Sequence, residues 1–357
     1  MIVFIVLLAL IVCSNIQFSP GGEFNDRYME RENTAAINGI FVILVVFSHY
    51  TQYAVMDGTY DEPYMMMQMH IGQMIVVPFL FYSGYGMMEA VKRRGKTYIF
   101  HRIPEKFWTL LLRFDIAVAL FLIVDKALGI EYPTDQILLA FTSWTNVGNS
   151  NWYITAILLI YIFFFISFAI CSAAGGRIAN ELSIVMLILL IIGCVYFQIR
   201  IGRESYTYNT MLLFPLGALY SNHKGVIERV VMKNDITYWI TVCVCLGLCC
   251  WSYWNKNEYG LTVYTLWAAM FMIIIILLTM KVNFHNPALY WCGRHVFSIY
   301  ILQRLPMLAL SYIGLVQEHK YMSFVMVFCL TILISLLFEL LTDRLILSIK
   351  SLFNRAQ

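Results

Sequence analysis

Long apolar runs separated by short polar loops dominate the chain. Eleven runs approach the length of about 20 mostly apolar residues that a hydrocarbon core of roughly 30 Å requires. They cover residues 1–18, 36–56, 70–91, 108–125, 151–172, 182–199, 210–222, 236–254, 261–280, 296–315 and 323–342. The runs are continuous and do not alternate, and inside a bilayer only helices or closed barrels satisfy the backbone, so each is predicted to be a helix. The pattern therefore predicts an all-α, polytopic transmembrane helix bundle of about 11 spans. Residues 1–18 have no Lys or Arg ahead of their apolar run, so they read as a retained anchor and not as a cleaved secretory signal. Three segments are expected: an anchor and cytoplasmic loop over 1–32, a transmembrane domain over 33–342 and a cytoplasmic tail over 343–357.

Composition agrees with this reading. Of the 357 residues, 61% are hydrophobic and 13% charged, and the mean hydropathy of +0.73 lies far outside the range of soluble domains. Charge placement then orients the bundle, because Lys and Arg concentrate in short cytoplasmic loops. With the loop KRRGKTYIFHRIPEK (92–106) inside, seventeen of the 24 basic residues fall in inside loops and five in outside loops. This layout predicts a multi-pass protein of the cell membrane with its N-terminus outside and its C-terminus cytoplasmic. The net charge of +3 comes from those inside loops, so it reports topology and not nucleic-acid binding. No Walker loop, dinucleotide fingerprint or internal repeat appears. Cys243, Cys245, Cys249 and Cys250 share one span with no His or carboxylate among them, so free thiols are expected and no metal site.

Polar residues inside the spans carry the functional information, since an ionisable group in a membrane usually faces a bundle interior or a water-filled cavity. His49 lies thirteen residues after Ala36, roughly 20 Å along its helix and in the outer half of the span, among Ser48, Thr51 and Gln52. Asn38 precedes it by eleven residues, which returns the chain to within about 20° of the same face. Arg113 and Asp115 are two apart and point in opposite directions, so each needs a partner on another helix. Asp115, a turn deeper and too short to snorkel, is the stronger candidate for a buried role, and Glu339 is expected near the solvated inner surface. Gln303 and Arg304 lie well inside the tenth span, with Pro306 following to free backbone carbonyls and bend the helix. FYSGYGM (81–87) offers Gly84 and Gly86 for close helix approach, and SNWYI (150–154) sets Asn151, Trp152 and Tyr153 at the outer interface.

From about residue 33 to 342 these pieces fall in an order and spacing that resemble the acyltransferase-3 family, polytopic enzymes that acylate sugars of surface polysaccharides, lipopolysaccharide and related glycans. The stretches that carry the resemblance are AAINGIFVILVVFSHY, VPFLFYSGYGMMEAVKRRGKTYIFHRIPEKF, NWYITAILLIYIFF, LLFPLGALYS and NPALYWCGRHVFSIYIL. The resemblance implies a ten-helix core, to which residues 1–18 add a leading span. It also implies a basic residue, ten intervening residues and an essential histidine in the first core helix. His49 matches the histidine, while the basic position falls on Asn38, which can donate a hydrogen bond but carries no positive charge. Arg102 matches the basic segment near which the acyl donor enters, and Gly84 and Trp152 fall on recurrent family positions.

The activity this implies is transfer of an acyl group, acetyl being the commonest, from acyl-CoA to a hydroxyl of a surface or lipid-linked glycan. A neutral imidazole at His49 serves as general base toward the sugar hydroxyl or as a covalent acyl relay. Asn38, Arg102, Asp115, Trp152 and Arg304 are the candidate substrate- or donor-binding residues, and no bound cofactor or metal is expected. The expected partners are the bilayer, the glycan acceptor and polysaccharide-assembly proteins. No esterase-like domain is expected beside the bundle, so the bundle itself completes transfer or hands the group to a separate protein. Two other classes stand beside this one: a transporter or flippase using His49, Asp115 and Arg304 as its pathway, and a catalytically silent assembly subunit.

Overall fold

A computed structural model of the chain describes residues 1–173 and 176–355. It is a bundle of helices with one small two-stranded ribbon. In chain order the elements are α1 (Ile2–Cys13), β1 (Ile16–Phe18), α2 (Arg31–Tyr50), α3 (Glu62–Ile71), α4 (Val77–Arg94), α5 (Ile103–Ala127), α6 (Thr134–Ala140), α7 (Trp152–Cys171) and α8 (Gly176–Arg200). There follow α9 (Leu213–Val231), α10 (Asp235–Asn255), α11 (Gly260–Lys281), β2 (Val282–Phe284), α12 (Pro287–Arg294), α13 (Val296–Leu302), α14 (Arg304–Tyr312), α15 (Leu315–Glu318) and α16 (Lys320–Arg355). Among the described residues, eight helical segments are long and apolar enough to cross a membrane, and α1 and the α13–α14 pair are shorter apolar helices. The all-α, multi-pass architecture expected from the apolar runs is the architecture found.

Among the described residues the run over 210–222 lies in α9, which is not one of the helices long and apolar enough to cross a membrane, and three further runs differ in detail from their expected form. The run over 1–18 is helical only to Cys13, about 18 Å: Ser14 turns extended, with ψ 133°, and Asn15 follows in a left-handed backbone with φ 62°. Residues 16–18 then pair antiparallel with β2, Ile16 opposite Phe284. A helix of this length falls short of the expected full span. The run over 70–91 belongs to a segment from Glu62 to Arg94 that is interrupted at Gly72–Val76 by a tight 3₁₀ turn. The run over 296–315 is two helices, because Pro306 has no N–H for the carbonyl of Leu302 and its ring crowds that carbonyl; Gln303 lies outside both α13 and α14.

Two helix pairs approach so closely that side chains are excluded from between them. A Cβ at Gly39 of α2 would overlap the Leu289 carbonyl of α12, and one at Gly293 of α12 would overlap the Ala35 carbonyl of α2. The α4–α9 pair repeats this reciprocity with Gly84 against Phe214 and Gly217 against Phe81. Such contacts are how helices associate without a hydrophobic driving force between them. Local chemistry starts the shorter partner: Pro287 opens α12, and the Asn286 carboxamide oxygen accepts from the N–H groups of Ala288 at 2.9 Å and Leu289 at 3.1 Å.

A cluster of charges ties down the loop that follows α2. Lys320, at the start of α16, bonds Asp61 at 2.7 Å, Asp57 at 3.0 Å and the Val55 carbonyl at 3.1 Å. The Tyr50 hydroxyl donates to the Lys320 carbonyl at 2.6 Å, and Tyr321 donates to Asp61 at 3.1 Å. Burial works to raise the pKa of the Asp61 carboxyl, but hydrogen bonds from Lys320, the Met1 ammonium, Tyr321 and the Gly58 N–H outweigh it and hold the group at about 2.

Two predictions follow from this packing. Gly84→Ala should force α4 and α9 apart, at a cost of about 1–3 kcal/mol, whereas Gly86→Ala, two residues away with no atom within 4 Å of the added methyl, should leave stability unchanged or slightly raised. Thermal unfolding of both variants in detergent checks the contrast. For Asp61, a carboxyl with a depressed folded-state pKa contributes stability that is fully present above its ordinary value of 3.8 and lost as pH falls toward about 2. Asp61→Asn should therefore melt lower than wild type at neutral pH, and the gap should narrow below pH 3.8 and close as pH falls to about 2.

Candidate functional site

His49 is the penultimate residue of α2, at the end of the bundle held by Lys320. It opens onto a cavity of about 760 Å³ whose walls include Ser48, Gln52, Gln68, Asn149, Ser150, Trp152, Tyr206, Tyr300 and Arg304. The cavity wall holds one guanidinium and no carboxylate. Gln68 of α3 ties the helix end in place by donating to Ser48 Oγ at 3.2 Å and Thr51 Oγ1 at 3.1 Å.

Three segments distant in sequence meet around the imidazole. Arg304, first residue of α14, donates from Nε to Ser150 Oγ at 2.7 Å and from Nη2 to Gln52 Oε1 at 2.6 Å. Ser150 Oγ lies 3.5 Å from His49 Nδ1. While it accepts from Arg304, the serine hydroxyl can give its own proton to Nδ1, an arrangement that puts the histidine proton on Nε2. Gln303 borders the same ring. It is fully buried, its Nε2 donates to the Tyr300 carbonyl at 3.0 Å, and its Oε1 has no partner. The Tyr300 ring stands 6.1 Å from the His49 ring, with its hydroxyl buried and unpaired.

Ser150 is held by the loop that enters α7. Gly148 takes φ 78° and Ser143 φ 63°. The Asn151 carboxamide donates to the carbonyls of Ser143 at 2.7 Å and Thr145 at 2.9 Å, and Thr155 Oγ1 donates to Ser143 O at 2.6 Å. Asn151 thereby spends its side chain on the loop, and the first N–H groups of α7 receive no side-chain cap.

A second cavity, also about 760 Å³, opens at the other end of the bundle. Five basic residues line it: Arg94, Arg102, Lys106, Arg113 and Lys350, against two carboxylates, Glu105 and Asp343. Arg102 bonds Glu105 at 2.7 Å, Lys350 also pairs with Glu105, and Arg113 pairs with Asp343. Arg102 closes a single π-helical turn at Tyr98–Arg102, a local widening that precedes α5.

A line of tyrosines runs between the two cavities. Tyr300, on the His49 cavity, packs edge-on against Tyr153 at 5.5 Å between ring centres. Tyr161 lies eight residues, about 12 Å, further along the same helix and lines the basic cavity with Tyr98 and Lys106. The buried hydroxyls of Tyr300, Tyr98 and Tyr82 have no hydrogen-bond partner.

His49, Trp152 and Arg304 thus share one cavity and Arg102 lies at the other. Asn38 and Asp115 are absent from both linings; each keeps a buried oxygen without a partner. Arg113 finds its partner on α16 and not in its neighbour Asp115. Glu339 accepts from Ser298 and pairs with His295, the two paired side chains each 20% exposed, in place of the solvated position expected for it. Sequence reasoning passed over Ser150 and Tyr300. The dense polar run NVGNSNW (146–152) before an apolar helix was the available signal for the first.

Among the described residues no group of three His, Cys, Asp or Glu side chains could hold a metal ion. What the arrangement offers is a base, a hydroxyl, a cation and a separate anion-attracting cavity. In comparison with known proteins, no curated protein and no solved structure matches the chain. A model of the acyltransferase domain family Acyl_transf_3 matches residues 35–340, well over half of the chain, and the protein therefore belongs to the acyltransferase-3 family of membrane proteins.

Proposed function

We propose that the protein is an integral membrane O-acyltransferase that carries an acyl group, acetyl in the first instance, from acyl-CoA to a hydroxyl of a cell-surface polysaccharide or lipid-linked glycan. The observation that carries this reading is the pairing of a basic cavity at one end of the bundle with a His49 cavity at the other, with Tyr153 and Tyr161 of α7 between them. The basic cavity suits the phosphates of CoA, for which Arg94, Arg102, Lys106, Arg113 and Lys350 supply five cations against two carboxylates. With the 92–106 loop cytoplasmic, cytosolic acyl-CoA docks there and its acyl arm follows the tyrosines toward His49, while the glycan approaches from outside. Asn38, about 16 Å inward of His49 on the same helix face, offers its unpaired carboxamide oxygen to the arm in place of a charge. Trp152, on the wall of the outer cavity, suits stacking against a sugar ring. Polysaccharide-assembly proteins would deliver the acceptor.

His49 supplies the base. Its Nδ1, 3.5 Å from the Ser150 hydroxyl, is the proton acceptor, and Arg304 brings positive charge to the place where the thioester carbonyl would gain negative charge. Purified wild-type protein given radiolabelled acetyl-CoA and a cell-envelope glycan fraction should transfer label, and folded His49→Ala should lose at least about a hundredfold of that rate. Transport needs no thioester, so substrate accumulation across a vesicle without any acyl transfer would point to a flippase. At the other cavity, loss of one charge-assisted phosphate contact is worth about 1.5–3 kcal/mol. Arg102→Ala should accordingly raise KM for acyl-CoA about tenfold or more with kcat little changed; an unaltered KM would remove Arg102 from donor binding.

A further inference from the structure

We infer that Ser150 is the acyl-carrying nucleophile of this protein, so that transfer proceeds through an acyl-serine and His49 acts through its hydroxyl. The inference rests on the acyltransferase reading given above and adds a covalent site to it.

Geometry singles out Ser150 from the other hydroxyls of the cavity. It is 4% exposed, lies on the cavity wall, and its Oγ is the polar atom between His49 and Arg304. Its partners differ in the way an activated nucleophile requires: one neighbour removes the proton and the other stabilises the oxygen left behind. The Arg304 Nε–H at 2.7 Å favours the anionic oxygen, and His49 Nδ1 at 3.5 Å is placed to receive the proton. The two other aliphatic hydroxyls beside His49 in sequence are engaged at their own helix end. Thr51 donates to the Ser48 carbonyl at 2.8 Å, and both Ser48 and Thr51 accept from Gln68.

The position of Ser150 supplies a second requirement. It immediately precedes Asn151 at the start of α7, a helix of 20 residues whose N-terminal amides are uncapped because Asn151 is held to the loop carbonyls of Ser143 and Thr145. Amides at such an end attract an oxyanion. A carbonyl attacked by Ser150 Oγ would therefore form its oxyanion beside those amides and the Arg304 guanidinium.

The steps balance. In the first, Ser150 Oγ attacks the thioester carbonyl of acyl-CoA as His49 Nδ1 takes the hydroxyl proton; the C–S bond breaks, and the proton passes to the departing thiolate, leaving CoA thiol and acyl-Ser150. In the second, a glycan hydroxyl attacks the serine ester as His49 takes its proton; the C–Oγ bond breaks, and that proton returns to Ser150. The products are the O-acyl glycan and the free enzyme. Splitting the reaction in this way suits substrates that arrive from opposite ends of the bundle, because the acyl group waits on the protein between them.

The test uses the full-length protein in detergent or nanodiscs. Unlabelled acetyl-CoA is mixed with radiolabelled CoA without any acceptor, and label entering acetyl-CoA is measured, since such exchange requires the acyl group to reside on the protein. Mass spectrometry of acid-quenched protein then locates the adduct. The wild type should exchange and carry acetyl on the peptide containing Ser150. Ser150→Ala, shown to be folded by its melting profile, should lose at least about a hundredfold of the exchange. Ser150→Cys, which restores a nucleophile of similar size, should carry a hydroxylamine-labile thioester. Undiminished exchange in Ser150→Ala, or an adduct on His49, would overturn the proposal in favour of an imidazole carrier. Transfer to glycan with no exchange in the wild type would overturn it in favour of direct attack. If the wild type neither exchanges nor transfers, the acyltransferase reading itself fails and this inference falls with it.

Discussion

The site depends on backbone-to-backbone contact between helices at reciprocal glycines. Gly39 and Gly293 let α2 and α12 touch through the carbonyls of Leu289 and Ala35. That contact sets more than the spacing of two helices, because α12 leads directly into α13 and α14, which carry Tyr300, Gln303 and Arg304. Fixing α12 on α2 near residues 35–39 therefore fixes, two turns and more away, what stands opposite His49 on the same helix. Gly84 and Gly217 do the equivalent for α4 and α9. A side chain at any of these four positions would separate two helices whose polar cargo must meet within hydrogen-bonding range, and interiors packed to this density have no slack with which to absorb it.

A break in a membrane helix then becomes usable. Pro306 removes one hydrogen bond from the α13–α14 segment, and the resulting gap puts Gln303 beside His49 and Arg304 on the cavity wall. Irregular backbone at membrane depth is tolerated where protein buries it or a water-filled cavity borders it. Both conditions hold here: Gln303 is fully buried with its Nε2 on the Tyr300 carbonyl, and Arg304 faces the cavity with Ser150 and Gln52 as acceptors. The guanidinium is neutralised by no carboxylate in that wall. Its charge thus remains available to the anionic states of acyl transfer.

The fold was legible because hydrocarbon imposes one requirement on every span, a long apolar helix, and that requirement is written locally. His49 and Arg304 were legible for the converse reason, as costly polar residues in apolar surroundings. What escaped depends on contacts far apart in sequence. Ser150 reads as one polar residue among several in an interface loop until the fold sets it between His49 and Arg304, 101 and 154 positions distant. The end of α1 at Cys13 escaped because Ile16–Phe18 is as apolar as a helix, and only pairing with β2 makes it a strand. Glu339 looked solvated near a helix end because nothing local announces that His295 and Ser298 will reach it.

Separating the two cavities also has a physical logic. A basic cavity large enough for a nucleotide is necessarily wet, and water is the competing acceptor for any acyl group. Between the two cavities lie Tyr153 and Tyr161 of α7, and the Tyr300 hydroxyl at one cavity and the Tyr98 hydroxyl at the other are buried and unpaired. Unpaired buried hydroxyls are costly to leave unsatisfied, and a chain of amides in an acyl-pantetheine arm would satisfy them as it excludes water. On the proposed reading the donor's phosphates would stay with the five cations at the end of the bundle where those cations lie, and the reacting carbonyl would reach the imidazole without the charge following it. Phosphate recognition and acyl chemistry would then be served by different dielectric environments, wet and cationic for the one, enclosed and hydrogen-bonded for the other.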